Sequence, residues 1–228
     1  ECFLGDGTDQ PVYDLDTVFG FFPPEAFENQ AGLPTTDEQR ALLELPGDSI
    51  VDLTERPARF FGPTLRLAEP MLLMIDRVTL MDHEGGAAGL GRFRAEKDVD
   101  VGEWFFKAHF YQDPVQPGSL GIEAMLQLLQ AAMIDKGLGA DFERPRFEGI
   151  ASQREHVWKY RGQVIPDAEI VSSTLEITSI ERDELGVVAL AEASLWVDGK
   201  RIYEAKDLGM RIVEEGEAER ATPSDEET

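Results

Sequence analysis

The sequence predicts an α+β domain in which an antiparallel β-sheet wraps one long central helix. Three observations lead there. The segment 119–136, SLGIEAMLQLLQAAMIDK, has helical length and is apolar round most of its circumference, so it is expected to be buried on most sides. Runs with β-character lie at 71–81, 88–96, 155–164, 169–180, 186–197 and 201–213. Turn signals separate the later runs, including Pro166-Asp167, Asp183-Glu184 and the hairpin dipeptide Asp198-Gly199. One buried helix among several antiparallel strands implies a sheet curled round that helix.

Taken in order, residues 1–22 hold a short β-like stretch, Pro11-Val12-Tyr13, and the aromatic cluster Phe19, Phe21 and Phe22. Residues 23–64 are broken by Pro23, Pro24, Pro34, Pro46, Pro57 and Pro63, and are expected to form a linker lying on a surface. Only 37–45, DEQRALLEL, reads as a helix there, with Asp37 as its cap. Residues 65–213 are the expected compact domain. In it, Leu90, Arg92, Phe93 and Arg94 mark the second strand, Ser119 can cap the long helix, and Gly137 and Gly139 end it. Residues 214–228, EEGEAERATPSDEET, carry almost no large apolar group and are expected to form an acidic disordered tail or linker.

Composition narrows the function. The chain has 228 residues, 42% of them apolar, enough for one core of good size. Its net charge of −24, from 45 acidic and 21 basic residues, offers no basic patch to nucleic acid or to an anionic membrane. The charge itself marks solubility or a salt-rich or acidic-proteome setting more than a basic partner. An acidic partner would need a local cationic patch, for which Lys159 and Arg161 are candidates. The single cysteine, Cys2, rules out an internal disulfide and fits a reducing, cytoplasmic setting. No apolar run is long enough to span a bilayer. The opening Glu1-Cys2-Phe3 reads as the start of a piece of a longer polypeptide.

The candidate chemistry stands just before the long helix. His109 lies in an aromatic run with Trp104, Phe105, Phe106 and Phe110, which is expected to desolvate the ring and keep it neutral. A Pro-rich turn, Asp113-Pro114-Val115-Gln116-Pro117-Gly118, leads into the helix, where free N–H groups and the positive dipole end can bind a thioester carbonyl. That is the requirement for stabilising an enolate. Glu123 falls in the first turns among Leu120, Ile122, Ala124 and Met125, where a carboxyl tends to keep its proton and can donate it. Each residue also has a plainer reading: His109 as a core histidine, Glu123 as a capping or surface glutamate, Asp113 as a turn residue. His83, beside Gly85-Gly86, reads as an exposed turn and His156 as a strand residue. The three histidines lack metal-ligand spacing, so no metal is expected.

The stretch WFFKAHFYQDPVQPGSLGIEAMLQL, 104–128, resembles the signature of the FabA-type 3-hydroxyacyl-carrier-protein dehydratase family. It is most similar to the dehydratase domains of polyunsaturated fatty acid synthases and polyketide-type megasynthases. PMLLMIDRV at 70–78 resembles the family's opening strand, VWKYRGQVIP at 157–166 its post-helix strand, and WVDGKRIYEAKDLGMRI at 196–212 its closing hairpin. The blocks keep family order over 67–213. The resemblance implies a hot-dog fold, paired with a second copy or with an adjacent hot-dog unit of the same polypeptide, with each site formed across the interface. It places the catalytic histidine on His109, the carbonyl-binding glycine on Gly118 and the helix carboxylate on Glu123. It implies dehydration of 3-hydroxyacyl thioesters carried on acyl carrier protein, in fatty acid, polyunsaturated fatty acid or polyketide synthesis. Phe110, Val115, Pro117 and Met125 become candidate substrate-binding residues, with Met125 and Leu129 along an acyl tunnel. No cofactor is implied, since the phosphopantetheine arm arrives with the carrier.

One position departs from the isomerising enzymes, which carry aspartate where this chain has Glu123; the related dehydratases that do not isomerise carry glutamate. Ser119 stands where the isomerising type enzyme has cysteine and is assigned no chemistry. Two other readings stay open: an acyl-binding or structural hot-dog unit without chemistry, and a hot-dog thioesterase using a carboxylate and water. The stretch Asp6 to Asp14 weakly echoes Asp198 to Glu204. Residues 1–22 are therefore either the last strand of a preceding hot-dog unit or a coincidental hairpin.

Overall fold

The computed structural model describes residues 2–3, 11–13, 31–47, 51–151 and 154–216. The aromatic cluster at 19–22 and residues 217–228 of the expected tail lie outside them. The chain divides into two compact units, Glu1–Ala31 and Gly32–Thr228. In the first, β1 (Cys2–Phe3) pairs antiparallel with β2 (Pro11–Tyr13), where the sequence shows its short β-like stretch.

The second unit is an antiparallel sheet curled round one helix, as expected. In chain order it contains α1 (Asp37–Glu44), β3 (Val51–Asp52), β4 (Arg77–Asp82), β5 (Arg92–Asp98), α2 (Trp104–Ala108), α3 (Gly118–Asp135), β6 (Pro145–Phe147), β7 (Val157–Tyr160), β8 (Ile170–Arg182), β9 (Gly186–Val197) and β10 (Lys200–Glu214). The strand order is β3-β4-β5-β8-β9-β10-β6, with β7 also on β10. Asp198 and Gly199 both have positive φ, 50° and 76°, the geometry that joins β9 to β10 in a tight hairpin.

α3 packs across β5, β8, β9 and β10. Eleven of its residues are buried, among them Met125, Leu128, Leu129 and Met133. They meet the inward residues Phe93, Ala95, Leu175, Ile177, Ala189, Ala191, Ala193, Leu195 and Met210. Each large side chain removed from water contributes roughly 1.5–3 kcal/mol, so this contact dominates the domain's stability. Gly121 is required by packing: a Cβ there would lie 2.0 Å from the ring of Tyr203 on β10.

Several boundaries differ from the sequence reading. The run 71–81 forms a strand only from Arg77, because the backbone of Leu72 and Met74 is taken by the Gln127 side chain and not by a ladder. The run 155–164 pairs only over 157–160; beyond it the carbonyl of Val164 accepts the Gln116 N–H. Ser119 is exposed and does not cap α3, which begins one residue earlier behind Pro117 with no side-chain cap. α1 is capped by Thr36, not Asp37, in a reciprocal box with Gln39.

Residues 32–64 also do more than lie on a surface. β3 extends the sheet beside β4, and Leu53 and Phe60 are buried in the core. α1 buries no residue; arginines hold it against the outer face of the sheet. Arg94 donates to the carbonyls of Leu43 and Leu45 at the end of α1, at 2.6 and 2.7 Å, and Arg201 donates to Pro34 O at 2.8 Å. No helix among the described residues is long and apolar enough to cross a membrane.

Candidate active site

His109 is the C-cap residue of the short helix α2, and its own N–H returns to Phe105 O at 3.0 Å. The sequence shows this stretch only as an aromatic run. Phe105 and Phe106 point into the core, while Trp104 stays partly exposed, its indole N–H donating to Met71 O at 2.9 Å. That alternation anchors α2. The ring of His109 is half-buried, not desolvated as expected, because Phe110 is itself exposed. Phe110 lies over the imidazole at a centroid distance of 3.9 Å.

The imidazole Nδ1 lies 2.9 Å from the carbonyl oxygen of Val115. A carbonyl only accepts, so Nδ1 carries the hydrogen and a neutral ring has its lone pair on Nε2. Val115 thus serves through its backbone, while its side chain is buried. Three residues on, Gly118 begins α3. Its first N–H groups have no side-chain cap, and they coincide with the positive end of an 18-residue helix. Gly118 has no positive φ, and a Cβ there would sit 3.4 Å from Trp158 and Tyr160, an ordinary contact. Neither backbone nor packing demands glycine at 118, in contrast to Gly121. Pro117 is the half-buried N-cap residue.

Glu123 is half-buried in the second turn of α3. Its Oε1 accepts the amide of Gln127 at 2.8 Å. Gln127 is fully buried and saturated: its amide also donates to Leu72 O at 2.7 Å, and its carbonyl accepts the Met74 N–H at 2.7 Å. It therefore fixes the Glu123 rotamer against a loop that is itself fixed. The sequence reading misses Gln127, although a glutamine four residues after a glutamate, inside an apolar helix, is a readable signal.

Glu123 and His109 are not brought together within one chain. No hydrogen bond or ion pair joins them, and Glu123 follows Gly118 by five residues, about 140° around the helix and about 7.5 Å along it. Glu123 instead lines an open depression with Leu67, Gln130 and Phe147. Met125 and Leu129, expected along an acyl tunnel, are fully enclosed in the core. The other histidines stand apart. His83 Nε2 meets the buried Asp135 at 3.0 Å, and His156 precedes β7, with its ring nitrogens at the carbonyls of Asp207 and Ala151. Among the described residues no three His, Cys, Asp or Glu side chains gather as a metal site.

A family model described as the FabA-like domain matches residues 67–206. The chain belongs to this family. The matched span contains α2, the turn into α3, α3 itself and most of the sheet. The chain is 32% identical over 222 residues to a polyunsaturated fatty acid synthase subunit of Thraustochytrium sp., an alignment that covers 90% of this chain and 14% of the relative. The chain therefore spans about one seventh of that protein. Among solved structures it is similar to the dehydratase heterocomplex ApeI:P of Xenorhabdus doucetiae, at 12% identity and a TM-score of 0.44, covering 67% of this chain and 90% of that one. It is also similar to a mutant thioesterase of Pseudomonas aeruginosa, at 14% identity and a TM-score of 0.36, covering 54% of this chain and 74% of that one.

Proposed function

We propose that this FabA-like domain removes water from 3-hydroxyacyl thioesters carried on acyl carrier protein, giving 2-enoyl thioesters, as one domain of a polyunsaturated fatty acid or polyketide-type synthase. The observation that carries the reading is the Nδ1–H bond of His109 to Val115, which leaves Nε2 as the basic nitrogen, with the uncapped helix start at Gly118 three residues after Val115. Nε2 takes a proton from C2 of the acyl chain. The Gly118 N–H and the dipole of α3 stabilise the charge that develops on the thioester oxygen. The C3–O bond breaks, Glu123 protonates the departing hydroxyl, and the C2–C3 double bond forms. The phosphopantetheine arm belongs to the substrate, and the residues need no further group for this chemistry.

Glu123 acts on the substrate of a second hot-dog unit, since within one chain it faces away from the Gly118 side of α3. An edge suited to that pairing is β7. The Arg161 N–H bonds to Ile202 O at 2.8 Å, and Tyr160 and Trp158 stand opposite Tyr203 and Ala205. In an antiparallel ladder the bonding direction alternates, so Trp158 and Tyr160 turn their backbone N–H groups away from β10. No other described strand pairs with β7. A bare edge of this kind favours pairing with a second copy or a neighbouring unit.

Mass spectrometry of a 3-hydroxyacyl-carrier thioester incubated with the domain tests the reading. Loss of one water supports it, release of free acid supports a thioesterase, and an unchanged substrate supports a non-catalytic unit.

A further inference from the structure

Two tyrosines meet over the first turn of α3. Tyr160 on β7 stands opposite Tyr203 on β10, with ring centroids 4.8 Å apart. Tyr203 is on the inner face of the sheet and is buried against Gly121. Tyr160 and Trp158 share that inner face but lie past the start of the helix, so they remain 37% and 44% exposed. Trp158 meets both tyrosine rings edge-on, at 6.0 and 5.7 Å. The three rings form a wall beside the open end of α3, and the edge of Tyr160 lies 3.4 Å from the point where a Gly118 Cβ would stand. A partly exposed phenol thus stands beside the start of α3 at Gly118.

The two hydroxyls are not equivalent. Burial holds the Tyr203 phenol well above its ordinary value, and its hydrogen bond with Tyr160 raises it further. Burial also raises Tyr160, but the same bond lowers it. Tyr203 is enclosed and Tyr160 is partly exposed, so of the two phenols only Tyr160 is open to a ligand beside Gly118.

We propose that the Tyr160 hydroxyl is a second donor to the thioester carbonyl oxygen held at the Gly118 N–H, and so a further catalytic residue that stabilises the enolate charge. This rests on the dehydratase reading above. The residue keeps its proton throughout: the C2 proton goes to His109 and the Glu123 proton leaves with the hydroxyl as water. A sequence signal exists only in hindsight, since Tyr160 and Tyr203 are 43 residues apart and the pairing of β7 with β10 brings them together.

Tyr160→Phe tests the inference, because it keeps the ring that packs on Trp158, Tyr203 and Gly118 and removes only the oxygen. Loss of one such donor typically costs about 10²–10³-fold in rate, so kcat is expected to fall by at least about tenfold with KM little changed. The independent readout is the vibrational frequency of the thioester carbonyl in a bound, unreactive acyl-pantetheine. It is expected to lie lower in the natural protein than in Tyr160→Phe. If Tyr160→Phe proves unstable, 3-fluorotyrosine at 160, a stronger donor, is expected to lower the frequency further. An unchanged frequency in either variant, or kcat within twofold in a stable Tyr160→Phe, overturns the inference. If the natural protein binds the acyl-pantetheine with the lowered frequency but leaves 3-hydroxyacyl substrate intact, the dehydratase reading fails while the Tyr160 contact stands.

Discussion

The imidazole of His109 donates through Nδ1 to the carbonyl of Val115 at 2.9 Å, and this one bond decides which nitrogen can act as a base. His109→Ala is expected to lower dehydration by about 10²–10⁴-fold. The ring is only half-buried, so the thermal midpoint should move little. Parallel assays of turnover and thermal unfolding check this. Retention of more than half the activity sinks the assignment, and equal loss of activity and stability restores the plainer reading of His109 as a packing residue.

Glu123→Gln keeps the size of the side chain but cannot supply a proton, so elimination should fall sharply with acyl binding retained. Gln127→Leu should cost both activity and stability, because it strands the Leu72 carbonyl and the Met74 N–H; a buried group left unpaired costs about 1–3 kcal/mol. Turnover and chemical denaturation of the two variants separate a proton donor from the residue that positions it. Glu123→Asp tests the family split: appearance of a 3,4-double bond in the product means that this residue controls isomerisation. Normal dehydration by Glu123→Gln would place the acid elsewhere.

The two glycines of α3 should behave oppositely. Gly121→Ala drives a methyl into the Tyr203 ring and is expected to destabilise by roughly 1–3 kcal/mol, as overpacking does. Gly118→Ala meets only ordinary contacts, so stability should hold while kcat falls. Denaturant midpoints and turnover on the same samples decide between the outcomes; a Gly118→Ala variant with full activity argues against carbonyl binding at that helix end.

Assembly should depend on salt in a particular direction. A pairing edge at β7 favours a dimer, while −24 charges per chain oppose it, most strongly at low ionic strength. Sedimentation is therefore expected to show a dimer that tightens as salt rises. A monomer that dehydrates substrate at every salt concentration contradicts a site shared between two units. An inactive monomer rescued by residues N-terminal to Glu1 would identify the preceding unit as the natural partner.

Acid stability offers a further check. Arg77 hydrogen-bonds the Asp98 carboxylate at 2.8 and 2.9 Å and holds it below its ordinary value. A carboxylate depressed in the folded state contributes stability that is complete above its unfolded value, about 3.9, and is lost as pH falls through the folded value. The stability gap between the natural protein and Asp98→Asn should therefore be constant at neutral pH and close below about pH 4. Asp98 is largely exposed, so the gap is small. A gap that widens in acid would reverse the sign of the argument.

The sequence by itself determined the elements whose signals are local. The apolar circumference of α3, the β-character of the runs that form β8 to β10 and the Asp198-Gly199 turn depend on neighbours within a few residues, and the structure places them as read. The turn and the helix that carry His109, Gly118 and Glu123 were local signals too, but which of the three share a site is not local. Only the tertiary structure decided what depends on distant partners. It gave α3 an uncapped start, used Gln127 to take the 72–74 backbone out of the sheet and set Glu123, and brought Leu53 and Phe60 into the core. It also set Tyr160 from β7 over the helix start. The physical reason is the same in each case. A hydrogen-bond donor or a ring edge acts over a few ångströms, and folding alone sets which residues, tens of positions apart in the chain, come within that reach.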